Sequence, residues 1–337
     1  MCKTSRMKKA TIYDVARQAG VSHQTVTRYL NGFDGIRPET RDRVKVALDE
    51  LNYRPNSAAR FLRSQQTNRI GILADRLELA GPGRAVAGAT RAARDRGYVS
   101  DIVPLDGEDI ESFTTALELL LDHQIAGIFA TVQTEPLRAA LEAVSDVPTA
   151  AVAYKETPNP VEEPEGVPGR LAAEHLAELG HTRIGFISGP LSWTSARARQ
   201  EAFLASAASN DVVVEWLIEG DWSAESGSRI ASDLPAHLGG VTAIAVSNDS
   251  MAFGLVSGLA ARALLVPTDV SVIGMDDSPE SRYFVPALST IRVDFEAEGA
   301  YVMDRLIARI EDRDPNEVPL YTPPSLQWRS STTRKIS

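Results

Sequence analysis

Thr11-Ile-Tyr-Asp-Val-Ala-Arg-Gln-Ala-Gly-Val-Ser22 and the run His23-Gln-Thr-Val-Thr-Arg-Tyr-Leu-Asn-Gly32 behind it decide the fold of the first part of this 337-residue chain. Thr11 stands where a helix N-cap accepts a backbone N–H, and Asp14 is the reciprocal member of a capping box. Ile12, Val15 and Ala19 recur at helical spacing. Gly20 suits the left-handed position that stops a helix, and Ser22 is placed to cap the next one. In that second helix Val26 and Leu30 point inward. Two short helices joined by a turn of about four residues containing glycine make a helix-turn-helix. The second helix of such a pair is the one that enters the major groove of DNA.

His23, Gln24, Thr27 and Arg28 then face outward. Gln pairs bidentately with adenine and Arg with guanine, so Gln24 and Arg28 are the candidate base readers and His23 their helper. Thr11, Ser22, Thr25, Thr27 and Asn31 complete the expected DNA-facing set of the two helices. The plainer reading is a pair of ordinary helices with solvated polar faces. Charge argues against it. Residues 1–63 hold 13 Lys and Arg against 6 Asp and Glu, a net of +7, while the whole chain carries −10 and the remainder therefore −17. A basic head on an acidic body fits a head that alone meets phosphate.

A third helix is predicted after Pro38, which suits a first turn, with Val44, Ala47, Leu48 and Leu51 on one face. Tyr53-Arg-Pro55 interrupts it. A second, very short helical start follows at 56–63, then a polar linker. The expected organisation is a head over 1–55, a hinge helix and linker over 56–68, and a core over 69–337. From Arg69 onward short apolar runs alternate with helical patterns: 69–74, 126–130, 149–153, 183–188, 213–218, 243–247 and 270–274. A helix over 83–96 ends at Gly97. Alternation of this kind predicts parallel sheets built from βαβ units. About 270 residues exceed one comfortable core, so two lobes are expected.

Ligands of such sheets sit beyond the carboxyl ends of the strands, and chemistry collects there. Trp193, Ser195 and Arg199 follow one strand, Trp222 another, Asn248 and Asp249 a third, and Asp276 and Asp277 a fourth. Carboxylate, guanidinium, amide and indole together suit a sugar: charged partners hold hydroxyls, and the apolar ring face packs on an aromatic. Taken singly, Asp249 and Asp277 are equally well read as caps and Trp222 as core.

The run from Thr11 to Asn31, then Glu50-Leu-Asn-Tyr-Arg-Pro-Asn56 and Ala59-Arg-Phe-Leu62, resembles the head and hinge of the lac repressor family of bacterial regulators. The core segments Ser195-Ala-Arg-Ala-Arg199, Gly220-Asp-Trp222, Asn248-Asp249 and Asp269 to Asp277 extend the resemblance over nearly the whole chain. It implies an α/β fold: a helix-turn-helix head and a two-lobed core like that of periplasmic sugar-binding proteins. It implies that Tyr53, Asn56 and Ala59 belong to the DNA-facing set, and that Leu62 wedges into the minor groove at the operator's centre, a known bending device. It implies that Arg199, Asn248 and Asp276 hold sugar hydroxyls, that Trp222 stacks, and that Leu79, Gly81, Pro82 and Phe295 help line the pocket. The member of that family which the core segments most resemble has an acid near Ala153, an aromatic near Glu163, a Gln near Val293 and a small polar residue at Trp193, so the sugar class carries over better than the particular sugar.

Function on this reading is transcriptional repression, with operator binding relieved by a small sugar or glycoside between the lobes. The expected partners are a pseudo-palindromic DNA operator, the effector and a second copy of the chain. Dimers are expected rather than tetramers, because the end of the chain shows no heptads. Two alternatives stay open: a cytoplasmic sugar-binding or sugar-processing protein with an incidental basic head, and a regulator using a purine-like corepressor. Five His and one Cys give no metal spacing, and no metal or cofactor is expected. Nucleotide-binding glycine motifs and the Gly-x-Ser-x-Gly elbow are absent. The only candidate acid–base pair is Asp249 with Asp276, so no enzyme is expected. No signal peptide or spanning apolar run is found, which fits a cytoplasmic protein.

Overall fold

Thr11 caps α1 (Ile12–Ala19): its hydroxyl accepts from the Asp14 N–H at 3.3 Å, and the Asp14 carboxylate accepts from the Thr11 N–H at 2.9 Å. Gly20 takes φ +63°, the left-handed stop that glycine allows without strain. Ser22 accepts from the Thr25 N–H at 3.2 Å and starts α2 (His23–Leu30). Pro38 opens α3 (Pro38–Glu50). Val15, Ala16, Ala19, Val26, Val44 and Ala47 are buried at the centre of the three helices. The computed structural model describes residues 10–30, 33, 35–51, 53, 67–105, 109–152, 166–235 and 238–335. They divide into two units, Met1–Thr67 and Asn68–Ser337. The expectations placed on Asn31, Asn56, Ala59 and Leu62 lie outside the described residues.

The second unit has two lobes. The first is built on β1 (Arg69–Ala74), β2 (Val99–Pro104), β3 (Gly127–Ala130) and β4 (Thr149–Ala151), all parallel in the order β2-β1-β3-β4. On one face lie α4 (Ala80–Asp95) and α11 (Phe295–Ile310), through Val86, Ala89, Met303 and Leu306. On the other lie α5 (Ile110–Asp122) and α6 (Glu135–Glu142), through Phe113, Leu120, Leu137 and Leu141. Strands β1 and β3 are buried on both faces, which is why they read as unbroken apolar runs.

The second lobe holds β5 (Arg183–Ser188), β6 (Val213–Glu219), β7 (Ala243–Val246), β8 (Ser271–Asp276), β9 (Ser289–Arg292) and β10 (Ser325–Gln327). Their order is β10-β9-β8-β7-β5-β6, parallel except for β10 against β9. Its faces are covered by α7 (Val167–Glu178) with α8 (Thr194–Ser209), and by α9 (Ala224–Asp233) with α10 (Asp249–Ala261). The chain crosses between lobes three times: after β4, after β9 into α11, and after α11 into β10. This places the carboxyl ends of both sheets at one cleft.

The structure departs from the sequence expectation at α4, which begins at Ala80, three residues before the predicted start. Pro82 falls in the first helical turn, where its missing N–H has no partner to lose. Gly83 is needed because a Cβ would stand 2.6 Å from the Leu77 carbonyl oxygen.

Candidate functional site

A cleft with about 900 Å³ of empty space, partly open to solvent, lies between the lobes. Leu79, Gly81, Pro82, Trp193, Ser195, Arg199, Trp222, Asn248, Asp276 and Phe295 line it, ten of the twelve residues singled out in the sequence; Asp249 and Asp277 do not. Most come from a strand end or the first turn of the helix that follows, and Arg199 from the second turn of α8.

Arg199 and Asp276 form its polar centre. The Arg199 Nη1 donates to Asp276 Oδ1 at 3.1 Å and to the Ser247 carbonyl, and both side chains are more than nine-tenths buried. Burial pushes the Asp276 carboxyl up to about 6, with Arg199 and then Arg84 pulling the other way. Arg84 donates to the Asp276 carbonyl at 3.4 Å and lies over the Phe295 ring at 5.7 Å, so a first-lobe cation touches both walls. Trp222 adopts φ +72°, which costs a bulky residue strain and marks a constrained position. Its ring fills the space a Cβ would take at Gly189, 2.1 Å away. The Trp193 and Trp222 rings stand 5.7 Å apart at 58°, an aromatic corner.

Asn248, expected to offer its amide to a ligand, lines the cleft and also holds its neighbours. Its Oδ1 already accepts from the Met251 N–H at 2.9 Å, capping α10, and its Nδ2 donates to the Trp222 carbonyl at 2.9 Å. One N–H and one lone pair remain. Its first task is to hold Trp222 in place. Asp249 does not line the cleft. It is fully buried and accepts from Ser278 N, Ser281 Oγ and Thr290 Oγ1 at 2.6–2.7 Å. Burial, then Asp276, push its carboxyl up to about 7. It ties down the turn in which Asp276 and Asp277 take φ +116° and +49°. Asp277 itself pairs with Arg329 at 2.6 Å.

Thr131, Gln133, Glu298 and Tyr321 also line the cleft and were not found in the sequence. The first two follow β3, whose end carries no charged or aromatic signal; the others lie on α11 and the last crossing. Beside them the lobes are stitched together. Thr134 and Trp193 form a lone antiparallel bridge, the Thr194 N–H donates to the Gln133 carbonyl at 2.9 Å, and Arg197 pairs with Glu135 at 3.4 Å.

In the head, Thr11, Ser22, His23, Gln24 and Arg28 are exposed, and Thr25 and Thr27 half-buried. The Thr27 hydroxyl donates to the His23 carbonyl at 2.9 Å, and Ser22 and Thr25 share a hydroxyl hydrogen bond at 3.0 Å. Arg28 lies over the Phe33 ring at 5.5 Å, and His23 stands 5.2 Å from the ring of exposed Tyr13. Neither aromatic was singled out in the sequence. Tyr53 packs half-buried against the three-helix core. Among the described residues no acidic, His or Cys cluster could hold a metal ion, and no helix is long and apolar enough to cross a membrane.

Comparison with known proteins agrees with this geometry. Residues 11–56 match the family described as bacterial regulatory proteins, lacI family, and residues 173–332 match the periplasmic binding protein-like domain. The lactose operon repressor of Escherichia coli (strain K12) is 34% identical over 305 residues, covering 89% of this chain and 85% of the relative. The HTH-type transcriptional repressor PurR of Edwardsiella ictaluri (strain 93-146) is 31% identical over 330 residues, 96% of each chain. Among solved structures, a lac repressor dimer bound to operator and the anti-inducer ONPF superposes with a TM-score of 0.82 at 33% identity, covering 97% of this chain and 100% of that one. The transcriptional regulator CelR in complex with cellobiose gives 0.69 at 25% identity, covering 96% and 99%.

Proposed function

The chain belongs to the lacI family of bacterial regulatory proteins, and we propose that it is a transcriptional repressor released from its operator by a small sugar or glycoside. The observation that carries the effector half is the convergence of Arg199 from α8, Asp276 from the end of β8 and Trp222 from the loop after β6 on one cleft between two lobes. A guanidinium fixes two oxygens in a rigid fork, a carboxylate accepts hydroxyls, and the indole offers a face for the ring. The other half rests on α2, which exposes Gln24 and Arg28 in a basic head. The relatives are repressors, one of them a dimer on its operator, which supports a homodimer on a pseudo-palindromic site and a place of action in the cytoplasm, where that DNA lies.

Effector binding then shifts the two lobes against each other, and operator affinity falls by the difference in effector affinity between the DNA-bound and free states, about 1–3 kcal/mol. The similarity to PurR favours one second reading, a purine in the same cleft acting as corepressor.

The test is operator binding by fluorescence anisotropy, using duplex DNA that the protein itself selects from a random pool, with sugars, glycosides and nucleobases added in turn. Release by a sugar is expected. Arg199→Ala keeps operator binding and loses the response. If Arg199→Ala responds at the wild-type concentration, or only nucleobases change DNA binding, the sugar reading fails.

A further inference from the structure

We propose that Gln133 contacts the effector, and that the effector is a disaccharide or larger sugar whose second, hydroxylated unit lies against the first lobe. This rests on the reading above that the cleft takes a sugar. The second-lobe wall is sufficient for one ring: Arg199 and Asp276 meet hydroxyls, and Trp222 with Trp193 covers a face. The cleft continues from that wall to the first lobe, where Gln133, Glu298 and Tyr321 also line it.

The opposite wall decides what fills the remainder. Gln133 lies beyond the carboxyl end of β3, and its main chain is tied to the second lobe. Its carbonyl accepts from Thr194, and its neighbour Thr134 bridges to Trp193. The residue is 94% buried, yet its amide makes no hydrogen bond to any described residue, and its Oε1 is enclosed. Leucine would fill that space without a polar group to satisfy. A turn about the last side-chain bond exchanges the amide's donor and acceptor ends, and a sugar hydroxyl pairs with either. Glu298 and Tyr321 line the same cleft from α11 and the last crossing. An aryl or alkyl group placed here would leave the Gln133 amide unpaired, whereas a second sugar ring meets it with hydroxyls. Discrimination of this kind is strong because it penalises the ligand that lacks the hydroxyl.

Calorimetric titration of the full-length chain with glucose, cellobiose and 4-nitrophenyl glucoside, and with galactose, lactose and 4-nitrophenyl galactoside, tests this. In one series the disaccharide is expected to bind at least roughly tenfold tighter than both its monosaccharide and its nitrophenyl glycoside. Gln133→Leu removes that preference: disaccharide affinity falls about tenfold while monosaccharide affinity stays within about twofold. Gln133→Glu, which keeps an acceptor, retains most of it. All variants keep the main-chain bond to Thr194, and unchanged melting temperatures confirm the fold. If the nitrophenyl glycosides bind as tightly as the disaccharides, or Gln133→Leu weakens both ligand sizes equally, the inference is overturned while the sugar reading stands. If no sugar in either series binds a protein that still binds operator, both are overturned.

Discussion

Asp276 bears opposing demands. Burial raises its carboxyl to about 6 although Arg199 is 3.1 Å away. For an acid whose folded pKa is raised, the stabilising contribution is present below the ordinary value near 4 and is lost as pH rises through about 6. Ligand binding runs the other way, because only the ionised form accepts two hydroxyls and keeps the Arg199 pair. Sugar affinity is therefore expected to fall severalfold between pH 7.5 and pH 5.5, measured by titration at constant ionic strength. Asp276→Asn should bind weakly with a flat profile, and a wild-type profile that is flat over this range would remove the ionised carboxylate from the site. Trp222 and Asp276 were legible in the sequence because each stands at or just past the end of an apolar strand, where ligands sit, and Arg199 because its segment, Ser195 to Arg199, matches the family. Asn248 and Asp249 show the limit. Adjacent residues at a helix start point in different directions, and only the packing reveals that one faces the cleft while the other anchors the turn at Ser278. Gln133 carried no signal, since a lone Gln after a short strand looks like any loop residue.

At the scale of elements, α4 and α11 cross almost backbone to backbone. A Cβ at Gly88 would stand 1.9 Å from the Glu296 carbonyl oxygen, and one at Gly299 2.0 Å from that of Ala85. The obstacles are main-chain atoms, so no side-chain rotation relieves them. Gly88→Ala or Gly299→Ala should each destabilise the core by about 1–3 kcal/mol or more, read by chemical denaturation, although alanine favours an isolated helix by about 1 kcal/mol. Stability equal to wild type would mean that the helices are farther apart than described. This crossing sets where Phe295 and Glu298 meet the cleft wall. Sequence periodicity found α4 but misplaced its start, because glycines that serve close packing look the same as glycines that break helices. Strands β1, β3, β5, β7 and β8 were plain as buried apolar runs. Strands β2, β9 and β10 were not found: β2 is an edge strand mixing Ser100 and Asp101 with apolar residues, and the others span four and three residues.

For the whole molecule the governing asymmetry is charge. The first 63 residues carry +7 and the rest −17, so the chain offers DNA an attractive head and a repulsive body. Operator affinity is expected to fall steeply with salt, by on the order of 10³-fold or more between 50 and 200 mM if about six phosphates are contacted. The cleft predicts the opposite for the effector. Asp276, Asp294 and Glu298 line it with Arg199, and Arg84 reaches Asp276 from the first lobe, so acidic groups outnumber basic ones by three to two. A sugar phosphate would enter against that excess of negative charge, and a cationic ligand would be drawn in and lose affinity as salt screens the attraction. A neutral sugar does neither. Effector affinity measured over the same salt range should therefore change by less than about twofold, while operator affinity collapses. A steep decline of effector affinity with salt would identify a cationic ligand, and a rise would identify an anionic one. Either result would require a different role for the Arg199–Asp276 pair, because a guanidinium already neutralised by its carboxylate suits hydroxyls rather than a charged group.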